Sequence, residues 1–393
     1  MAMDKKYLIV NTGSASKKYA LYAGGKEICK AHFEKEGGKF IVTFLFGRLK
    51  EKKVIKESSY RSALNFLLEL LLVKKIIRSK SDIRAVGLRV VAPGNYFLEN
   101  RLVDKKYLDK LKASEQEAPL HIHPIIAEVR QLKKILPSVP VVGVSDSVFH
   151  STMPQQSKLY NLPERVAAKY GMYRYGYHGI SMQSVLRKVK KILGTLPARM
   201  IICHLGGGSS IAAVKNGKSI DTSMGFTPLE GVPMGTRIGN IDAGAVIYLA
   251  EKFGLSLRQL ETFFNSKCGL LGLSGKTSDI RQLIELEKSG DKKAKLALDT
   301  FVYSIKKYIG AYAAALNGLD LLVFTATIGE RSWIMRGKIC NELDVFGINI
   351  DLKKNRKVVS ADGLISKSNA PVKIAVITTD EMGEIAKEVS AFL

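Results

Sequence analysis

The feature that most restricts the fold is a pattern of strands and turns that occurs twice. Near the start, the apolar run Tyr7 to Asn11 meets Gly13-Ser14-Ala15-Ser16, a second run at Lys18 to Tyr22, the turn Gly24-Gly25-Lys26 and a third run at Glu27 to Phe33. Far along the chain, Met200 to His204 leads through Gly206-Gly207-Gly208-Ser209-Ser210 to Ile211 to Val214, then through Asn216-Gly217-Lys218 to Thr222. Short apolar runs punctuated by glycine turns read as antiparallel meanders. The same order at both places (strand, Gly-Ser turn, strand, Gly-Lys turn, strand) predicts a duplicated domain.

A length of 393 residues agrees, because it exceeds what one ordinary core fills. Phe40 to Phe46 extends the first meander. A helix over Arg61 to Arg78, a strand at Ile83 to Val91, a helix from Pro124 to Leu136 and a strand at Val139 to Val144 then complete a mixed sheet covered by helices. After the second meander, helices begin at Ala243, Ser256 and Asp279, and another spans Lys292 to Leu316. Strands follow at Leu321 to Thr325 and Val372 to Ile377, and Glu381 to Phe392 closes the chain as a helix. Leu352 to Lys357 reads as an exposed turn. The leucine-rich run Leu64 to Val73 carries Asn65 and Glu69 and precedes Lys74-Lys75, so a buried helix is expected rather than a bilayer span.

With 46% hydrophobic and 25% charged residues, the composition is that of a soluble globular protein. Charges in Met1 to Lys6 directly precede the first strand, without a signal-peptide pattern, so a cytoplasmic location is expected. Cys29, Cys203, Cys268 and Cys340 lie far apart without C-x-x-C spacing, which predicts reduced thiols rather than a zinc site or disulfides. The formal charge of +25 raises nucleic acid as a partner. The lysines are nevertheless scattered, with no Lys/Arg-only block, and read as a solvated basic surface that attracts anionic substrates; neither nucleic acid nor membrane is an expected partner.

Two Gly-Ser turns on a duplicated scaffold suit phosphate, because glycine lets backbone N–H groups approach oxyanions and hydroxyls add donors. Neither turn is a Walker A loop or a dinucleotide fingerprint. His178 sits in the loop-like Tyr175-Gly176-Tyr177-His178-Gly179, where it can donate to developing phosphoryl charge. Arg89, near the end of an apolar strand, must either pair or face a cleft. Arg237, in Met234-Gly235-Thr236-Arg237-Ile238-Gly239, is either an exposed loop arginine or a second anion ligand. Asp146 follows a buried strand. Glu381 opens the last helix, where an acid is favoured by the helix dipole in any case.

Taken together, Asn11 to Lys18, Ala118-Pro119-Leu120-His121, Arg174 to Gly179, His204 to Ser210 and Asp221 to Arg237 resemble the acetate kinase family over nearly the whole chain. The segment Asp221-Thr222-Ser223-Met224-Gly225-Phe226-Thr227-Pro228-Leu229-Glu230-Gly231 is the most specific match. The resemblance implies an α/β protein of two duplicated ribonuclease-H-like domains, the actin-like ATPase fold, with a central cleft. The domains would be residues 1–149 plus 383–393, and 150–382. It also implies a homodimer and the reversible reaction of ATP with acetate to ADP and acetyl phosphate, by direct in-line transfer with Mg2+ or Mn2+. By position, Asn11 and Glu381 would place the metal, and Ser16 and Lys18 would lie near the phosphates. Arg89 and Arg237 would bind carboxylate and phosphoryl oxygens, His178 would stabilise the transition state, and Asp146 would be the catalytic acid that positions substrate. Val91, Leu120, Tyr177 and Pro228 would form the acetate methyl pocket. The nucleotide segments would be His204, Leu205, Gly206, Gly207 and Gly208, then Asp279, Ile280 and Arg281, then Thr327, Ile328, Gly329, Glu330 and Arg331.

The chain also departs from the pattern. The family's His-Arg-Val-Val-His-Gly-Gly reads Leu88-Arg89-Val90-Val91-Ala92-Pro93-Gly94, its Gly-Asn-Gly reads Gly206-Gly207-Gly208, and the usual acid before Ile-Asp reads Asn240. Its Ala-Gly-Ile-Gly-Glu-Asn reads Ala326-Thr327-Ile328-Gly329-Glu330-Arg331, which predicts that Thr327 and Arg331 narrow the adenosine pocket in favour of a smaller donor such as pyrophosphate. A propionate or butyrate kinase is the neighbouring alternative, and a non-catalytic nucleotide- or RNA-binding member is the alternative of another class.

Overall fold

The computed structural model describes residues 5–13, 16–116 and 118–393; the remaining residues lie outside it, as do the side chains of residues 116 and 119–121. The chain divides into two compact units, Met1–Val148 with Asp380–Leu393, and Phe149–Thr379.

In the first unit, eight described strands form one sheet: β1 (Lys6–Thr12), β2 (Ser16–Ala23), β3 (Lys26–Glu36), β4 (Lys39–Phe46), β5 (Leu49–Ile55), β6 (Ile83–Val90), β7 (Arg101–Leu102) and β8 (Val141–Ser145). Their spatial order is β5-β4-β3-β2-β1-β6-β8-β7. The first five make the antiparallel meander, and β6 and β8 continue it in parallel. The second unit builds its sheet from β9 (Arg199–Leu205), β10 (Ser209–Lys215), β11 (Lys218–Thr222), β12 (Leu321–Thr325), β13 (Gly363–Leu364) and β14 (Lys373–Val376), in the order β11-β10-β9-β12-β14-β13. Strand for strand, this matches β3-β2-β1-β6-β8-β7, including the final short strand that runs antiparallel to its neighbour. Each unit is therefore a ribonuclease-H-like α/β domain of the actin-like ATPase type. The duplication read from the turns is a duplication of topology.

Leu8, Ile9 and Val10 are fully buried because both faces of the first sheet are covered. One face packs on Leu64, Leu67, Leu68 and Leu71 of the helix Ala63–Val73 and on Ile122, Ile125 and Val129 of the helix Pro119–Ile135. The closing helix Glu381–Phe392 covers the other, and Gly87 permits it: a Cβ there would lie 2.6 Å from Val389 and 2.7 Å from Ile385. In the second unit the helix Lys292–Leu316 covers one face, and the helix Gly179–Leu193 sets Met182, Val185 and Val189 against Met200, Ile202 and Val323 on the other.

Four local expectations are corrected. The helix expected over Arg61 to Arg78 is two helices, Glu57–Arg61 and Ala63–Val73, and it stops where Lys75 turns to φ 56°. The helix expected from Pro124 starts at Pro119, because proline suits the first helical position, where its missing N–H costs nothing. Leu352–Lys357 is a helix rather than a turn; the Asp351 side chain caps it by accepting from the N–H groups of Lys353 and Lys354. β5 was missed because nearly all its residues are exposed: a lysine-rich edge strand gives no hydrophobic alternation. All four cysteines are free thiols, and no described helix is long and apolar enough to cross a membrane.

Candidate functional site

The chemistry-bearing residues gather into one cluster in each unit. In the first unit the cluster forms at the carboxyl ends of the parallel strands, where open α/β sheets present their ligands. Asn11 comes from the end of β1, Arg89 from β6, Asp146 from just beyond β8, and Glu381 from the first residue of the closing helix. The Arg89 guanidinium donates through Nε to Asp146 Oδ1 at 3.2 Å and through Nη2 to Asp146 Oδ2 at 2.5 Å, a bidentate pair. Its Nη1 donates to Asn11 Oδ1 at 3.2 Å, and Asn11 Nδ2 donates to Glu381 Oε2 at 3.0 Å. Burial opposes the charge on Arg89, but the carboxylates of Asp146 and Glu381 outweigh it and hold the arginine above its usual pKa. Asp146 is 1% exposed while the Arg89 side chain is 20% exposed, so the pair is anchored at its acid and open at its cation. Arg89 is therefore ion-paired, with part of its side chain exposed.

β1 and β2 set Asn11 directly opposite Lys18 and Thr12 opposite Lys17, with Gly13 N–H donating to the Ser16 carbonyl at 2.9 Å across the turn. Lys18 is exposed and Ser16 half-buried at the mouth of this hairpin. Val91, half-buried, follows β6. Leu120 lies on the helix Pro119–Ile135, its side chain outside the described residues.

The second cluster centres on the glycine turn between β9 and β10. A Cβ on Gly208 would sit 3.1 Å from His178 Nε2 and 3.7 Å from Arg237 Nη1, so the turn, the histidine and the arginine converge. His178 ends the expected loop as the N-cap residue of the helix Gly179–Leu193, in the left-handed region at φ 62°. Its ring stacks on His204 with centroids 4.0 Å apart, and its Nδ1 lies 3.0 Å from Ser210 Oγ. His204 Nδ1 in turn lies 2.9 Å from Ser181 Oγ. Arg237 is half-buried; its Nη1 donates to the Pro228 carbonyl at 3.4 Å and to the Met234 sulfur at 3.8 Å, and burial lowers its pKa. The long segment that presents it is braced by Glu230, which accepts from Tyr160 and from Arg174 Nε. Pro228 is buried, and the Tyr177 hydroxyl donates to the Phe226 carbonyl at 2.6 Å.

Beside this turn lies a cavity of about 600 Å³, within the range of small-molecule sites. Gly206, Gly207, Asp279, Ile280, Arg281, Thr327, Ile328 and Arg331, which come from the three segments that the resemblance implies for the nucleotide, line it. Gly235, Leu270, Ser278, Ile284, Glu285, Phe301, Ser332, Trp333 and Ile334 line it too and were not foreseen. Trp333, the chain's one tryptophan, was the signal available for that wall. Thr327 and Arg331, the two departures from the family pattern in this segment, both lie on the wall of the cavity. His204, Leu205, Gly208, Gly329 and Glu330 are not on its wall. Glu330 instead holds the wall in place: its Oε1 accepts from the N–H groups of Ala326 at 3.0 Å and Thr379 at 2.8 Å.

The Acetokinase family model matches residues 6–387. The chain belongs to the acetokinase family. It is 45% identical to the acetate kinase of Carboxydothermus hydrogenoformans, with 98% of each chain covered. Among solved structures it resembles the acetate kinase of Porphyromonas gingivalis at 37% identity and TM-score 0.87, covering 98% of this chain and 99% of that one. It also resembles a propionate kinase from Francisella tularensis at 36% identity and TM-score 0.90, with 98% of each covered. Members act on a nucleotide and a carboxylate with a divalent metal, and the donor set of this acetokinase suits a hard one. Asn11 and Glu381 offer oxygens only, and among the described residues no group of three or more His, Cys, Asp or Glu could hold a metal by itself.

Proposed function

We propose that this chain is an acetate kinase that catalyses the reversible transfer of the γ-phosphoryl group of ATP to acetate, giving ADP and acetyl phosphate. The observation that carries the reading is the convergence of the Gly206–Gly208 turn, His178 and Arg237 beside a nucleoside-sized cavity, on a chain of this family.

In the forward direction a carboxylate oxygen of acetate attacks the γ-phosphorus. The new O–P bond forms as the bond to the β,γ-bridging oxygen breaks, and that electron pair leaves with ADP. Charge spreads over the equatorial phosphoryl oxygens, so fixed donors contribute most of the acceleration. In this proposal Arg237 and His178 donate to those oxygens, with the His204 stack and Ser210 holding the His178 ring in one orientation. Arg89 takes the acetate carboxylate, and Asp146 fixes its guanidinium through the bidentate pair rather than by moving a proton. Ser16, Lys18 and the backbone of Gly206–Gly208 receive the phosphates. Magnesium, or manganese in its place, would be held by Asn11 and Glu381 and would supply charge neutralisation at the phosphates.

Val91, Leu120, Tyr177 and Pro228 are proposed as the wall around the acetate methyl group. One further methylene changes selectivity by only about 1–3 kcal/mol, so propionate is the competing acceptor. We place the enzyme in the cytoplasm as a homodimer, without nucleic acid as a partner. The decisive assay traps acetyl phosphate as its hydroxamate, with acetate, propionate and butyrate in parallel. Acetate is expected to have the highest kcat/KM with ATP and Mg2+; no acyl phosphate from any carboxylate would overturn the reading.

A further inference from the structure

The cavity beside Gly206 has four charged groups on its wall: Asp279, Arg281, Glu285 and Arg331. Three of them are already committed. Arg281 Nη2 pairs with Asp279 Oδ2 at 2.6 Å, and Glu285 Oε1 accepts from Lys288 Nζ at 2.8 Å. The exposed side chain of Arg331 makes no hydrogen bond, ion pair or ring contact with the described residues. It follows directly on the helical turn that carries Thr327 and Ile328, so it is held at the cavity by a short, fixed element. Trp333 adds a flat wall, and the Arg356 guanidinium lies over its ring at 4.7 Å from the centroid. A rigid aromatic face is what a nucleobase stacks on.

A guanidinium has donors only. On the Hoogsteen edge of adenine it meets one acceptor, N7, next to the N6 amino group, itself a donor. On the same edge of guanine or hypoxanthine it meets O6 and N7 together, two acceptors that match its fork. We infer that Arg331 reads the nucleobase edge, and that this enzyme takes 6-oxopurine nucleotides, GTP and ITP, at least as well as ATP. The inference rests on the nucleotide reading of the cavity proposed above and adds the base that it selects.

The test compares kcat/KM for ATP, GTP and ITP in the wild type, Arg331→Asn and Arg331→Lys by hydroxamate formation. In parallel, ADP, GDP and IDP are titrated against the fluorescence of Trp333, which no other tryptophan obscures. The wild type should use ITP and GTP at least as efficiently as ATP. Arg331→Asn should lower the ITP:ATP and GTP:ATP ratios roughly ten- to hundredfold, through KM rather than kcat, and Arg331→Lys should fall between because it keeps the charge and loses the fork. The diphosphates should rank in the same order by fluorescence, which needs neither variant nor turnover. An ATP preference above about tenfold in the wild type, ADP binding tighter than IDP and GDP, or ratios unmoved in Arg331→Asn would overturn the inference. If no triphosphate gives an acyl phosphate, the proposed function falls, and the fluorescence ranking still decides the base preference.

Discussion

Arg89 and Arg237 place the same group in opposite surroundings. Asp146 and Glu381 raise the pKa of Arg89, and its bidentate partner fixes its plane. Arg237 is lowered by burial and donates to a carbonyl and a thioether. In the proposed mechanism Arg237 acts on the phosphoryl group in transit, because it converges with His178 on the Gly208 turn. Arg237→Ala is therefore expected to cut kcat by about a hundred- to a thousandfold or more, with circular dichroism and melting temperature near wild type. Arg237→Lys should recover little, since a point charge does not replace the planar fork. Steady-state rates beside thermal melts check both; near wild-type turnover in Arg237→Ala would remove it from the site. At this scale the sequence was informative, because a guanidinium between glycines or on an apolar strand needs an explanation. It could not show that His178 is an N-cap residue at positive φ, since that depends on what packs around Gly176 and His150.

That packing operates through whole elements. A Cβ at Gly176 would lie 2.7 Å from the His150 ring, which is fully buried and brings β11 to the segment leading into His178. His150 Nε2 faces the Tyr177 carbonyl at 3.1 Å and so must carry the proton, while Nδ1 accepts from Ser219 Oγ at 2.8 Å. Burial pushes its pKa down to about 4, partly resisted by the Tyr177 carbonyl. The unfolded chain binds a proton at His150 below about pH 6.5. Between that value and 4 the unfolded state holds the extra proton, so stability falls with pH by roughly 1.4 kcal/mol per unit and about 3 kcal/mol in all. His150→Gln should be less stable at pH 7.5 by about 1–3 kcal/mol yet lose less on acidification, by one proton. Urea melts from pH 7.5 to 4.5 measure this, and parallel slopes in the two proteins would refute it. Meanders and amphipathic helices were legible because their periodicity is local. The far wall of the cavity was not, since Ser278, Phe301 and Trp333 meet only through tertiary packing. Nor was the helix Leu352–Lys357, which exists to receive buried Arg336: Nε donates to Asn355 Oδ1 at 2.7 Å, and Nη2 to the Asn355 and Val358 carbonyls at 2.8 and 2.7 Å. Arg336 Nη1 also bonds the carbonyls of Gly329 and Glu330, so this short helix buttresses the element that carries Arg331.

For the molecule as a whole, the helix Ala243–Phe253 is the element that the fold of one chain leaves unexplained. Its sequence, Ala-Gly-Ala-Val-Ile-Tyr-Leu-Ala-Glu-Lys-Phe, has the apolar content of a core helix, yet none of its residues is buried. Ile247 is 62% exposed, Tyr248 58% and Phe253 50%, and Leu257 just beyond is 80% exposed. Isolated apolar residues on a surface need no account, but several on one helix and at the start of the next are what a surface covered in solution would present. A second copy of the chain is the occupant we propose. The +25 charge is compatible with this because Lys252 is the only basic residue in the helix, so self-repulsion is weak where the copies would meet. The wild type should elute and scatter light as a dimer at micromolar concentration. Ile247→Glu with Tyr248→Glu should shift it to monomer, because two carboxylates would have to be desolvated at the centre of the patch. The substituted side chains point to solvent in the single chain, so its melting temperature should fall only by the dimer's contribution and should lose its dependence on protein concentration. A wild type that is monomeric at these concentrations, or a double variant that stays dimeric, would assign the face to another partner. If the monomeric variant keeps its kcat with ATP and acetate, the chemistry is complete in one chain and dimerisation serves stability alone.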